Sequence, residues 1–377
     1  MKLWYQGLAR QTESTPYGEL LTNAVASAAD PGTSVHMDYT VMTNATSRIN
    51  RISLLFAGIG IAMVANGAPA QGQTPQEKEK YPSRPIRWVA PSSVGGGNDA
   101  LARLIGARMT EHWGQQVVVD NRPGAGGIIG NDIVAKAAPD GYTILIVAGG
   151  FAVNPSLYKT IPYDTLKDFE RISYVAHAPL VLVAHSSAGI KSVRELIELA
   201  KAKPGQLNYA SSGVGTTSFL AAELFKYMTK VQMVHVPYKG AGASSAAVIA
   251  GQVHLLAATP NATVPHVRTG RLRALGVTAT TRLSIIPEVP TIAEQGLPGY
   301  EVVTAYWVLV PAKTPKPIVT ALHGEMVRIL KMPETRKQME SMGFTPNGST
   351  PEELTAILKS EMAKWSKVLK EIGVRPE

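Results

Sequence analysis

Cysteine is absent from all 377 residues. That excludes disulfides, thiolate metal sites and cysteine nucleophiles, and it suits a compartment in which free thiols would be a liability. Charge is sparse: charged residues make up 17% of the chain against 45% apolar, the balance of a globular rather than a disordered protein. No run of five or more like charges occurs. The formal charge of +9 therefore reads as a basic soluble surface or as a bias toward anionic small molecules, and no nucleic-acid partner is expected. Catalytic signatures are missing as well. There is no G-x-S-x-G, no H-E-x-x-H, no S-x-x-K with its partners and no Gly-Lys-Ser/Thr phosphate loop. The eight histidines lie apart in sequence. No catalytic residue, metal ligand or cofactor is expected, and the chain reads as a non-enzyme.

What is present begins near the N-terminus. Residues 1–41 are polar and without periodicity. Arg48 and Arg51 then precede ISLLFAGIGIAMVANGAPA (52–70). The apolar part, about a dozen residues long, is too short to span a bilayer comfortably. It ends in Ala68-Pro69-Ala70, a small-residue cleavage signal. The pattern is that of a secretory signal peptide, here assigned to 42–70 with cleavage near Ala70-Gln71. Because Met42 stands just upstream, 1–41 reads as a misassigned or disordered extension. Residues 71–80 are a polar linker, and the protein that follows is expected in the periplasm.

From Tyr81 onward, short β-type runs alternate with amphipathic stretches. IRWVA (86–90), QVVVDN (116–121), YTILIVAGG (142–150), LNYASS (207–212), MVHVPY (233–238), HLLAA (254–258) and LRALGVTA (272–279) read as strands. Residues 98–113 carry Leu101, Leu104, Ile105 and Met109 on one helical face. Helices are also expected over 127–138, 191–205 and 217–230. Ser192/Glu195, Thr291/Glu294 and Thr350/Glu353 have capping-box spacing. After AYWVLVP (305–311) come three helical segments. This order implies an α/β fold of two lobes, each a mostly parallel sheet flanked by helices, with the helical tail packing on the first lobe. The long apolar runs 179–186 and 302–311 are the candidate strands crossing between lobes.

Four glycine-rich turns follow strands and open helices: 91–99, 121–127, 210–217 and 237–244. Glycine lets backbone approach a ligand closely, and a helix start offers unpaired N–H groups and a positive dipole end. The first and third turns are expected at a ligand, with Asn98 as an alternative helix cap in the first. The second is read as structural. In the fourth, the backbone N–H groups are better candidates than Lys239. Opposed helix starts across a cleft suit a ligand with a carboxylate at each end.

The motifs YPSRPIRWVAP with GGGND, VVVDNRPGAGG, AKAAPDGYTIL, NPSLYKTIPYD with DFE, LNYASSGVGT, VPYKGAG, RLRALGVTATTR with VPTIAEQG, and STPEEL occur in order over nearly all of the chain after Tyr81. In these the chain resembles the Bug-type extracytoplasmic receptors of tripartite tricarboxylate transporters. The resemblance implies a type II periplasmic-binding fold, with domain 1 at 81–183 and 304–377 and domain 2 at 184–303. It implies a monomer that captures a small mono- or dicarboxylate in the interlobe cleft and delivers it to membrane permease subunits.

Carried onto this sequence, the family's ligand loops imply Ser92, Ser93, Gly95, Gly96, Gly97 and Asp99 in domain 1, with Gly150, Phe151 and Ala152 bordering the cleft. In domain 2 the candidates are Ser211, Ser212, Gly215, Thr216 and Thr217, joined by Gly240 and Ala241 from the fourth turn. Asp99 is expected to orient its loop or to accept from a polar ligand or water, rather than meet a carboxylate. Ser92 and Val94 depart from the family, which often has an aromatic residue and a proline or alanine there. His254 stands where the family commonly has aspartate. The lost ring admits a larger or aromatic acid. A receptor for a signalling system, or a secreted hydrolase or transferase, are the alternative functions.

Overall fold

The structure is a computed structural model and describes residues 81–374. The extension 1–41, the signal peptide 42–70 and the linker 71–80 lie outside the described residues. Among those described, no helix is long and apolar enough to cross a membrane.

Strict alternation of side chains explains the first sheet. Its strands are β1 (Ile86–Ala90), β2 (Val117–Asn121), β3 (Thr143–Ala148), β4 (Phe169–Pro179), β10 (Val303–Pro311) and β11 (Thr345–Pro346), in the spatial order β11-β4-β10-β3-β1-β2. Trp88, Ile144, Ile146 and Val308 point to one face. They meet α1 (Gly97–Trp113) and α8 (Lys316–Lys331) through Leu101, Ile105, Leu322 and Met326. Their neighbours Val89, Leu145, Val147 and Trp307 point the other way. That face is covered by α2 (Ile128–Ala135), α3 (Gly150–Leu157) and α10 (Pro351–Glu371), with Val134, Phe151, Leu354 and Leu358 in the core. A sheet buried on both faces needs apolar residues at consecutive positions, hence runs such as TILIVA. Helix α9 (Pro333–Ser341) completes the tail.

The second sheet is built the same way from β5 (Val181–His185), β6 (Asn208–Ser211), β7 (Val234–Pro237), β8 (Leu255–Ala258) and β9 (Leu272–Val277), ordered β7-β6-β8-β5-β9. On one face lie α4 (Val193–Ala202) and α5 (Thr217–Thr229), on the other α6 (Ala241–Ile249) and α7 (Pro260–Arg268). Both sheets are mixed. Their cores β2-β1-β3 and β7-β6-β8 are parallel, and the antiparallel pairs involve the strands next to the crossings. The outgoing chain leaves β4 at Pro179 and enters β5 at Val181. The returning chain enters β10 at Val303, inserts between β3 and β4 and runs against both.

One residue knots the two crossings. The Leu180 N–H donates to Thr278 Oγ1 at 2.8 Å, and that hydroxyl donates to Val302 O at 2.6 Å. The Thr278 N–H donates to Leu180 O and the Val302 N–H to Thr278 O, both at 2.9 Å. Thr278 is fully buried, so each of these groups would be costly to leave unpaired.

Several expectations shift. The segment 169–179, given no strand by pattern, is the longest strand described at 11 residues. Residues 149–154, which the resemblance implies as a loop at the cleft, instead cap and begin the helix Gly150–Leu157, despite Pro155 inside it. Asn98 does not cap α1: the cap position is Gly96, and Asn98 lies in the first helical turn. Thr291 and Glu294 do exchange bonds as a capping box, at 3.0 and 2.7 Å, but they close a turn and not a helix.

Candidate functional site: a neutral cavity ringed by helix starts

Open α/β sheets bind ligands beyond the carboxyl ends of their parallel strands, and a cavity lies there. Its empty volume is about 750 Å³, counting the space at its mouth, which is within the range of small-molecule sites. Strands β1, β3, β6, β7 and β8 each lead into a residue or turn of its wall: Ser92, Gly150, Ser212, Gly240 and Thr259.

Six helix starts meet at this wall, those of α1, α2, α3, α5, α6 and α7. None has its own N-cap side chain bonded to its free amides. The caps are Gly96, Gly127, Gly149, Thr216, Gly240 and Thr259; four lack a side chain, and the two threonines point theirs elsewhere. Of the four helices away from the cavity, two are capped by a side chain, α4 by Ser192 and α10 by the Thr350–Glu353 capping box, and α8 and α9 are not. An uncapped start keeps N–H donors and positive dipole available to something else.

No Asp, Glu, Lys, Arg or His lines the cavity among the described residues. Its one titratable group is the Tyr306 hydroxyl, which burial pushes up and thus keeps protonated. The wall therefore offers neutral donors in a setting that is partly apolar, with Phe151, Val147, Leu180 and Ala258 exposed to it. Such a site holds an anion by many weak dipoles rather than by an ion pair.

Nine of the residues expected at a ligand line this cavity. They are Ser92, Gly97, Gly150 and Phe151 on the first lobe's side, and Ser212, Thr216, Thr217, Gly240 and Ala241 on the second's. The other seven do not line it, and their bonds show why. Asp99 accepts from the Gly95 N–H at 3.0 Å and from Arg103 Nε at 2.9 Å, which ties the loop down. Gly95 O accepts from Asn261 Nδ2 at 3.1 Å. Gly96 lies against Ala241, close enough that a Cβ would be 3.1 Å from it. Ala152 is buried in the core below. Ser211 is buried, with its hydroxyl bonded to His235 Nε2 at 2.6 Å and accepting from the Gly213 N–H at 3.1 Å. Gly215 packs against Asn154 and Leu157.

Ser93 is the informative case. Its hydroxyl accepts from the Gly242 N–H at 2.9 Å and the Ala243 N–H at 3.3 Å. A side chain of the first lobe thus supplies the cap that α6 in the second lobe lacks. The approach is so close that a Cβ on Gly242 would lie 2.0 Å from Val94 O. On another side, a Cβ on Gly126 would lie 2.5 Å from Val214 O. The lobes are in contact around the cavity.

Sequence reasoning did not single out Asn131, Thr259, Thr304 or Tyr306, all of which line the wall. It assigned the second glycine turn a structural role only, yet Gly124, Gly126 and Gly127 line it too. The available signal was a polar group inside an apolar run: Asn131 in IIGNDIVA, and Thr304 and Tyr306 in VTAYWVLVP.

Known proteins agree with this architecture. Residues 101–374 match the family described as tripartite tricarboxylate transporter family receptor. A protein encoded in the tcbD-tcbE intergenic region of Pseudomonas sp. strain P51 is 40% identical over 318 residues, covering 84% of this chain and 93% of its own. The periplasmic binding protein BugD superposes with a TM-score of 0.77 at 33% identity, over 79% of this chain and all of its own. Rpa4515 of R. palustris, whose structure is with adipate, gives 0.77 at 37% identity over the same shares. With two mixed α/β lobes, a cavity at their strand ends and these relatives, the chain belongs to the tripartite tricarboxylate transporter receptor family, as one of its Bug-type members.

Proposed function

We propose that this protein captures a small mono- or dicarboxylate between lobes formed by 81–183 with 304–377 and by 184–303, in the periplasm, and hands it unchanged to the permease subunits of a tripartite transporter. The observation that carries the reading is the ring of helix starts, none capped by its own N-cap side chain, around a cavity with no charged side chain. Free amides and dipole ends stabilise a carboxylate there. The adipate in Rpa4515 supports the same ligand class. Domain closure around the acid would exclude water and strengthen each of those bonds.

The test is a thermal-shift and calorimetry screen of protein recovered from the periplasm, using organic acids and their neutral amide analogues. An acid at a hundredfold excess over its dissociation constant should stabilise the protein by about 2.7 kcal/mol, and its amide should not. Stabilisation by amines or sugars but by no acid would sink the carboxylate. Chemical turnover of a bound acid would sink the receptor.

A further inference from the structure

Four buried side-chain polar atoms of cavity-lining residues have no hydrogen-bond partner: three belong to the first lobe, and the fourth, Thr259 Oγ1, to the second. Asn98 is 5% exposed and Asn131 2% exposed, and both line the cavity. The Oδ1 atom of each has no hydrogen-bond partner. Ser92 Oγ, on the same lobe's wall, is likewise buried and unpartnered. Asn131 is held rather than loose. Its Nδ2 donates to Tyr163 Oη at 2.8 Å, and the Tyr163 ring is stacked on Phe151 at 6.0 Å and packed edge-on to Phe169 at 5.6 Å.

An amide oxygen only accepts. Buried acceptors without donors are rare in proteins, and each calls for a specific explanation. A ligand carboxylate cannot supply it, because it too only accepts and would be repelled. The complementary group carries an O–H or N–H. An ammonium would be buried with no carboxylate among the described wall residues to pair with it, which is costly. Asp99 and Asp132, the acids next in sequence to Asn98 and Asn131, are already bonded, the first to Arg103 and Gly95 and the second to Lys136. A neutral hydroxyl meets the requirement.

We propose that Asn131 and Asn98 are specificity-determining residues that read a hydroxyl on the ligand, so that the preferred class is hydroxylated carboxylic acids. This rests on the carboxylate reading above and gives the site polarity. The acid group faces the helix starts, and the hydroxyl faces the two amide oxygens, with Ser92 able to complete the bond.

The experiment is calorimetry with matched pairs of acids: malate and succinate, 3-hydroxybutyrate and butyrate, 6-hydroxyhexanoate and hexanoate, 4-hydroxybenzoate and benzoate. In the wild-type protein the hydroxylated member of at least one pair should bind about tenfold or more tightly, the factor expected of one well-made buried hydrogen bond. Asn131→Ala and Asn98→Ala should each shrink that preference severalfold while the plain acid binds as before. Each variant is compared with its own ligand-free melting point, and the two substitutions lie on different helices, so misfolding of one leaves the other decisive. If acids bind but no pair shows a preference, or the preference survives both substitutions, the hydroxyl assignment is wrong and the carboxylate reading stands. If no acid binds at all, both fall.

Discussion

Ser93 and His235 act on the site without lining it. Ser93 caps α6 across the cleft, so it stabilises the closed arrangement rather than the ligand itself. Losing a cap costs about 0.5–2 kcal/mol. Ser93→Ala should therefore weaken ligand binding by roughly that amount, mainly through faster dissociation, which stopped-flow fluorescence would resolve from an unchanged association rate. A Gly242→Ala protein should lose more, because its Cβ meets Val94 O. His235 lies 5.0 Å from the rings of both Tyr209 and Phe219 and is bonded to Ser211 at the base of the third glycine turn. Burial, opposed by Glu223 and aided by Lys226, lowers its pKa below the usual 6.5. The folded state then binds fewer protons than the unfolded one. Its contribution to stability is complete above pH 6.5 and is lost as pH falls through the lower folded value. Melting temperatures between pH 7.5 and pH 5 should decline, and His235→Asn should flatten the decline; an NMR titration of the imidazole reads the shift directly.

At the level of elements, the two helices capped by their own N-cap side chain, α4 and α10, both lie away from the cavity. Helix α10 has a complete capping box, with Thr350 Oγ1 accepting from the Glu353 N–H at 3.2 Å and Glu353 Oε2 from the Thr350 N–H at 2.9 Å. Its Leu354 and Leu358 are core residues of the first lobe. Thr350→Ala should cost about 1 kcal/mol of stability in denaturant unfolding and leave ligand affinity unchanged, since no residue of α10 lines the cavity. The helix starts at the cavity have no cap from their own N-cap side chains, and the one at α6 is capped from the first lobe by Ser93.

For the whole molecule, two features matter: the knot at Thr278 and the placement of charge. Thr278→Val removes the hydroxyl shared by Leu180 and Val302 and leaves a buried N–H and a buried carbonyl with one partner fewer. A loss of about 1–3 kcal/mol is expected, with Thr278→Ser retaining most of the wild-type stability. The formal charge of +9 contributes no side chain to the cavity. Affinity for the bound acid should accordingly change little between 50 and 500 mM salt in calorimetry, whereas a site built on exposed lysines would weaken steeply.

Local chemistry written in adjacent residues was legible from the sequence. Turn glycines, cap spacing and apolar periodicity act over a few positions, so they gave the alternating lobes, the tail helices and nine of the sixteen expected cavity residues. Strand β4 was missed because FERISYVAHAP mixes charge with apolar residues, and only pairing with β10 and β11 makes it a strand. Glycine turns announce closeness without saying to what. Tertiary structure alone decides that α6 meets Ser93, and that Ser211 turns inward to His235. It alone sets Asn98 and Asn131, 33 residues apart in sequence, in one wall. The sequence by itself determined that this chain builds two sheets with glycine-rich helix starts at their strand ends. Which of those starts line the cavity, and which meet the other lobe, was decided by the folding of one lobe onto the other, because that contact joins residues no local pattern relates.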